Sequence, residues 1–176
     1  MALYDNIYEI AADNYGLISS SEAKLIGVSD KEISRLARDG RLIRIGHGLY
    51  RIKHYSPSPN DPYAEAVALA GVDAYLFGES VISMHGLAPT NPANITVATP
   101  HRIRKKMPSS IRIIRRKHVE SPTEYEGIPS QSIVEAIRAA RQTIMASRLE
   151  EATRNARREG LITKSEESIL LGELSE

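Results

Sequence analysis

Hydrophobic residues recur at helical spacing over the first forty positions of the chain and predict three short helices. The first covers residues 3–14, whose apolar positions fall on one face and whose opposite face is acidic. The second and third each begin with a Ser that is followed three residues later by a Glu: Ser19 with Glu22, and Ser29 with Glu32. This spacing is typical of a capping box, in which each side chain bonds the other's backbone N–H. Almost no linker separates these two helices, so they must cross steeply, as in a helix-turn-helix.

The third predicted helix runs from Asp30 to Asp39 and has two distinct faces. Ile33, Leu36 and Ala37 share one side and form an apolar stripe. The other stripe is polar and basic, and consists of Lys31, Ser34, Arg35 and Arg38. A recognition helix turns such a face toward the major groove, where Arg reads guanine and Lys or Ser holds phosphate. The simpler alternative is a solvated basic face.

A β-hairpin is predicted directly after the third helix. Residues 41–45 and 49–52 are rich in β-branched and apolar side chains and flank two Gly residues, which is typical of a tight hairpin turn. The side chains on or near this hairpin that can carry positive charge are Arg41, Arg44, His47 and Arg51. This local excess of positive charge favours the binding of a polyanion. The order of helices and hairpin predicts a winged helix-turn-helix DNA-binding domain over residues 1–54.

A Pro-rich segment, residues 55–62, follows this domain and indicates a linker, since Pro opposes both helix and sheet pairing. Residues 63–176 are predicted to form a mixed α/β domain with a helical C-terminal part. Its predicted strands cover residues 74–77, 95–98 and 111–115, and its helices cover residues 63–70, 79–85, 130–141 and 144–158, with a terminal helix after a third capping box at Thr163. The predicted fold class is α+β: an N-terminal winged helix-turn-helix domain followed by a mixed α/β domain.

A dense basic run lies in the second domain, with no acidic residue between its ends. Its members are Arg102, Arg104, Lys105, Lys106, Arg112, Arg115, Arg116 and Lys117. Such a run fits a solvated loop and edge strand, because Lys and Arg discourage edge-to-edge pairing of sheets. It also fits a second nucleic-acid surface, for operator phosphates or for RNA. The sequence leaves both interpretations open.

Several kinds of chemistry lack a signature in the sequence. There is no Cys, which excludes disulfides, thiolate metal sites and Cys nucleophiles and fits a reducing cytoplasm. His85 and His101 have no Ser, Asp or Glu at a spacing that indicates a triad. No catalytic residue, metal site or cofactor is predicted, and no stretch is apolar enough for a membrane span. The alternative to a DNA-binding regulator is a nucleic-acid-processing enzyme that uses the winged helix to bring its catalytic domain to the nucleic acid.

Motifs in both predicted domains follow a recognisable order. In the first domain they are Leu36, Gly40, Leu42, Arg44, Gly48 and Tyr50. The downstream segments are residues 62–66, 80–87, 95–100 and 127–129. In this order and spacing, from about residue 4 to residue 140, the chain resembles the AbiEi family of antitoxins.

This resemblance implies a transcriptional regulator from a type IV toxin–antitoxin pair, and some members of the family are phage-defence proteins. The first domain is expected to bind operator DNA and to repress its own operon. An inverted repeat bound by a possible homodimer would match the general geometry of dimeric DNA readers. The second domain is expected to counteract a nucleotidyltransferase toxin encoded beside it, with or without direct contact. The resemblance assigns no role to residues 143–176.

Overall fold

The computed structural model describes residues 2–117 and 122–176, and the chain divides into two compact units, Met1–Val72 and Asp73–Glu176. Within the described residues there are eight helices and eight strands, and the strands form two separate sheets. The predicted fold class, an N-terminal winged helix followed by a mixed α/β part, is confirmed.

The first unit has the order of elements that defines a winged helix. Its elements are α1 (Ala2–Ala12), β1 (Leu17–Ser19), α2 (Ser20–Leu25), α3 (Asp30–Arg38), β2 (Leu42–Gly46), β3 (Leu49–Ile52) and α4 (Asp61–Ala70). The three strands form an antiparallel sheet in the order β1-β3-β2. The β2–β3 hairpin, residues 42–52, is called the wing below.

One face of this sheet packs against the helix-turn-helix. Ile18, Leu42 and Ile52 point to this face and share a buried core with Ile7 of α1 and Ile33 of α3. Burial of large aliphatic side chains contributes about 1.5–3 kcal/mol each, so this core stabilises the unit.

Helix α4 packs on the opposite face of the same sheet. Successive residues of a strand point to opposite faces, so Leu49 and Arg51 of β3 point away from the helix-turn-helix. Leu69 of α4 lies against Gly46, and Glu65 of α4 is ion-paired with Arg51. The sequence placed this helix in the second domain, whereas in the structure it lies in the first unit.

The second unit contains a five-stranded mixed sheet and four helices. Its elements are β4 (Tyr75–Leu76), α5 (Glu79–Met84), β5 (Ile95–Thr99), β6 (Ile111–Arg115), β7 (Pro122–Tyr125), β8 (Ile128–Gln131), α6 (Ile133–Ala140), α7 (Ala146–Arg158) and α8 (Lys164–Leu174). The strand order is β6-β5-β4-β8-β7, with β5 parallel to β6 and β4 parallel to β8. Strand β6, which carries part of the basic run, is therefore an edge strand.

Local signals placed most elements correctly, and the exceptions are short strands. The prediction of a helix from residue 130 is wrong at its start, because Ser130 and Gln131 belong to β8. The helix begins only after Ser132, whose hydroxyl accepts the backbone N–H of Glu135. The β7–β8 hairpin and the three-residue strand β1 were not predicted, because pairing with other strands, rather than local periodicity, stabilises them.

Candidate nucleic-acid interface

Helix α3 is fixed at both ends by its own sequence. The backbone N–H of Ser29 donates to Glu32 at 2.8 Å, and the backbone N–H of Glu32 donates to the Ser29 hydroxyl. The predicted capping box is therefore confirmed, and its hydrogen bonds lower the pKa of Glu32 below its usual value. At the other end Gly40 adopts a positive φ of 72°, which lets the chain turn out of the helix into β2.

The two faces of α3 separate as the pattern predicted. Ile33 and Leu36 are buried, whereas the four predicted contact residues Lys31, Ser34, Arg35 and Arg38 are all exposed. The Ser34 hydroxyl donates to the carbonyl of Asp30 at 2.8 Å, within its own helix. Within the described residues, the side chains of Lys31, Arg35 and Arg38 make no hydrogen bond or ion pair. These three exposed cations, of which Arg35 also interacts electrostatically with Glu32, are available for an external anion.

The acidic side chain at the start of this helix is partly neutralised. Lys24 of α2 lies 2.8 Å from Asp30, and both side chains are more than half exposed. An exposed pair of this kind contributes little stability. It does reduce the negative charge next to the basic face of α3.

The wing and the residue just before it add three further exposed groups that can bind anions. Arg44 is exposed and its Nε donates to the carbonyl of Gly46, and His47 is exposed in the turn between the strands. Arg41, just before β2, is exposed and its guanidinium lies 5.3 Å from the centre of the Tyr4 ring. These three residues fit the predicted basic hairpin.

Arg51 differs from the other predicted DNA-binding residues, since only 15% of its side chain is exposed. Its Nε donates to the carbonyl of Tyr15 at 3.2 Å, and its Nη1 pairs with Glu65. Its guanidinium also lies 5.2 Å from the centre of the Tyr55 ring. These contacts occupy Arg51 inside the unit.

The segment predicted to be a linker is held by its own hydrogen bonds. The Tyr55 hydroxyl donates to Asp61 at 2.9 Å, and the backbone N–H of Ser58 donates to the same carboxylate. Burial, together with the bond to Asp61, raises the pKa of Tyr55 to about 12, so its hydroxyl stays protonated and keeps donating. This segment connects β3 to α4 inside the first unit.

The basic run of the second unit lies on the edge strand β6, on the irregular chain before it and on the two residues that follow it. Seven of its eight residues are exposed, and Lys105 is half-buried. Two members have partners: Arg115 donates to the carbonyl of Pro100, and the Arg116 guanidinium lies 5.2 Å from the centre of the Phe77 ring. The other six make no hydrogen bond or ion pair within the described residues. Their position suits either interpretation of the run.

The two histidines considered for catalysis have structural contacts. His85 is half-buried with its ring 4.0 Å from that of Tyr125, and burial lowers its pKa, which favours the neutral form. His101 Nε2 lies 2.9 Å from Asp73, and both side chains are exposed. Across residues 2–117 and 122–176, no group of three or more His, Asp or Glu side chains is arranged to hold a metal ion. In the same residues no helix is both long and apolar enough to cross a membrane.

These features define the first unit as a winged helix-turn-helix with an exposed basic face on α3 and a basic wing. Residues 5–53 match the family model described as "Transcriptional regulator, AbiEi antitoxin". The matched segment runs from α1 to the end of β3, so the resemblance to AbiEi antitoxins is confirmed for the winged helix itself. It covers less than a third of the chain.

Two further comparisons concern the whole chain. The crystal structure of RV2827C protein from Mycobacterium tuberculosis is similar at 14% sequence identity and a TM-score of 0.47, over 98% of this chain and 81% of that one. A search of curated proteins found no match.

Proposed function

We propose that the protein is an antitoxin-type transcriptional regulator that binds operator DNA through its winged helix and represses its own toxin–antitoxin operon in the cytoplasm. The observation that carries this proposal is the set of exposed cations on one face of α3, which have no hydrogen bond or ion pair within the described residues and lie in the segment that matches the regulator family. Arg35 and Arg38 would contact base edges, while Lys31, Arg41, Arg44 and His47 would contact phosphates. Two copies would bind the two halves of an inverted repeat.

A binding titration on the DNA upstream of its own gene, against a shuffled duplex, tests this function. The Arg35→Ala/Arg38→Ala variant should bind the upstream DNA at least about tenfold more weakly, since each base contact contributes about 1–3 kcal/mol. Arg157→Ala/Lys164→Ala is the matched control, because it also removes two positive charges, but from exposed positions on α7 and α8. Equal binding of both duplexes by the wild type would refute the operator function. Unchanged binding by the Arg35/Arg38 variant would refute the assignment of α3.

We propose that the basic run adds phosphate contacts outside the operator's core. Its support is the six cations that have no partner within the described residues. Arg102→Ala/Arg104→Ala should reduce the slope of log affinity against log salt by about 0.9 for each phosphate that the variant no longer neutralises, equally on both duplexes. An unchanged slope would mean that these residues do not contact phosphate and that they instead discourage edge-to-edge pairing at β6.

We further propose that the second unit counteracts a nucleotidyltransferase toxin encoded next to this gene, as the resemblance implies. If antitoxicity lies in this unit, it does not require the recognition helix. Expressed from a foreign promoter beside the toxin, the wild type and the Arg35→Ala/Arg38→Ala variant should restore growth equally. Loss of rescue in the variant alone would contradict this separation of roles.

A further inference from the structure

Helix α4 touches the wing at two places, the Arg51–Glu65 ion pair and the contact of Leu69 with Gly46. We propose that α4 holds the wing in its DNA-binding position and that Arg51 is a positioning residue rather than a phosphate contact. This inference rests on the proposed DNA-binding function and adds a fourth helix to the DNA-binding unit.

The first step of the argument concerns the nitrogens of Arg51. Nε is bonded to the Tyr15 carbonyl and Nη1 is paired with Glu65, while Nη2 is buried with no hydrogen-bond partner within the described residues. One face of the guanidinium lies over the Tyr55 ring. Phosphate recognition by Arg needs free N–H groups directed at the anion. The Arg51 nitrogen without a hydrogen-bond partner within the described residues, Nη2, is itself buried and so is not directed at an external anion.

The second step concerns the segments that Arg51 connects. Arg51 lies on β3, its Tyr15 partner precedes β1, and its Glu65 partner lies on α4. One side chain therefore links the central strand of the sheet to the segment before the neighbouring strand and to the helix that covers it. Loss of either Arg51 or Glu65 leaves the other charge mostly buried and uncompensated. This disfavours the arrangement in which the wing is docked against α4.

The third step concerns the far end of the wing. Leu69, which is 5% exposed, packs directly on Gly46, next to the turn that carries His47. Arg44 lies on the other side of this position, where the β2–β3 register shifts between Arg44 and Gly46. Helix α4 thus contacts the wing close to the groups proposed to reach DNA, as well as at Arg51.

Hydrogen exchange combined with DNA titration tests this inference in the full-length protein. In both Glu65→Gln and Arg51→Gln, backbone amides of residues 42–52 should exchange faster than in the wild type, while those of α3 should not change. If the wing is docked in only a tenth of the variant molecules, operator affinity should fall about tenfold. The double variant should be no worse than Arg51→Gln alone, because Arg51→Gln already removes the pair with Glu65 together with the bond to the Tyr15 carbonyl.

The salt dependence separates positioning from direct contact. A positioning role predicts that both variants keep the wild-type salt slope on shuffled DNA. A phosphate contact by Arg51 predicts a slope lowered by about 0.9 in Arg51→Gln alone. It also predicts tighter binding in Glu65→Gln, which removes a negative charge. That second pattern would overturn the inference.

One control variant and two refuting outcomes keep the result unambiguous. Arg154→Gln, which breaks the exposed Arg154–Glu150 pair on α7, is the control and should leave the wing's exchange unchanged. A wild type that fails to prefer the operator would refute the proposed function, whereas unchanged exchange of the wing in Glu65→Gln would refute the role of α4. Glu65→Gln is nearly isosteric, so it remains informative if Arg51→Gln does not fold.

Discussion

At the scale of single residues, Arg35 and Arg51 show how the surroundings of a guanidinium decide its role. Both belong to the basic segment around α3 and the wing. Arg35 is exposed without a hydrogen bond or ion pair in the described residues, while Arg51 is 15% exposed and bonded on two sides. Strand alternation places Arg51 on the face opposite the helix-turn-helix. That face would be solvated in a three-helix winged domain, but here α4 covers it.

Gly46 offers a test of this covered face. A Cβ at Gly46 would overlap Leu69 Cδ2, so Gly46→Ala should destabilise the protein by about 1–3 kcal/mol through overpacking. Leu69→Ala alone should cost about 2–5 kcal/mol because it leaves a cavity. The double variant should cost less than the sum, since the shorter side chain makes room for the new methyl group. Denaturant unfolding measures all three values.

Gly172 of α8 is the matched control for this cycle. A Cβ there meets nothing within 4 Å, and the residue lies inside a helix, so Gly172→Ala should stabilise the protein by about 0.5–1 kcal/mol. Additive costs at Gly46 and Leu69 would show that the two residues do not compete for space.

At the scale of elements, the sequence predicted best what neighbouring residues decide. All three predicted capping boxes, at Ser19, Ser29 and Thr163, are present, because each depends on two residues three positions apart. Some short strands were not predicted, because they depend on residues that are far apart in the sequence. β1 has only three residues and pairs with β3 at least thirty positions later, so its stability is not encoded locally.

The link between α6 and α8 provides a prediction on pH. Arg138 Nη2 lies 2.7 Å from Glu173, and hydrogen bonding from Arg138 lowers the pKa of that carboxyl below its usual 4.5. A carboxyl with a lowered pKa in the folded state stabilises the fold above its unfolded pKa, and this contribution is lost as the pH falls through the folded pKa. Glu173→Gln should therefore lower stability at pH 7, by less than about 1 kcal/mol because the pair is partly exposed.

The difference between this variant and the wild type should shrink as the pH falls below 4.5 and vanish once the wild-type carboxyl is protonated. Unfolding midpoints measured between about pH 7 and about pH 2 test this trend. Glu151→Gln, at an exposed position of α7, is the control for the Glu-to-Gln substitution itself at each pH. A pH-independent difference at Glu173 would indicate packing rather than charge as its contribution.

At the scale of the whole molecule, helix α3 and its two faces could be predicted from sequence, but the position of α4 in the first unit could not. Amphipathic periodicity was sufficient for α3 because its two faces differ in every turn. Three Pro residues in 55–62 suggested a linker, yet Asp61 accepts hydrogen bonds from Tyr55 and Ser58 and holds this segment. Contacts such as Arg51 with Glu65 decide where α4 lies, and no periodic pattern reports them.

Limited proteolysis of the full-length protein tests which segment separates the two units. Val72 is 79% exposed and lies beside Gly71, whose φ is 99°, at the division between the units. Proteases cut exposed chain that can unfold locally, so elastase, which cleaves after small aliphatic residues, should cut first near Val72. Mass spectrometry should then find one product ending near residue 72.

Replacement of Asp61 supplies the control for this experiment. Asp61→Ala removes the acceptor of Tyr55 and Ser58, so cuts within residues 55–62 should appear in this variant and be slow in the wild type. A first cut within residues 55–62 of the wild type would mean that the Pro-rich segment is a true linker. Helix α4 would then be separable from the winged helix, and its proposed role in holding the wing would fail with it.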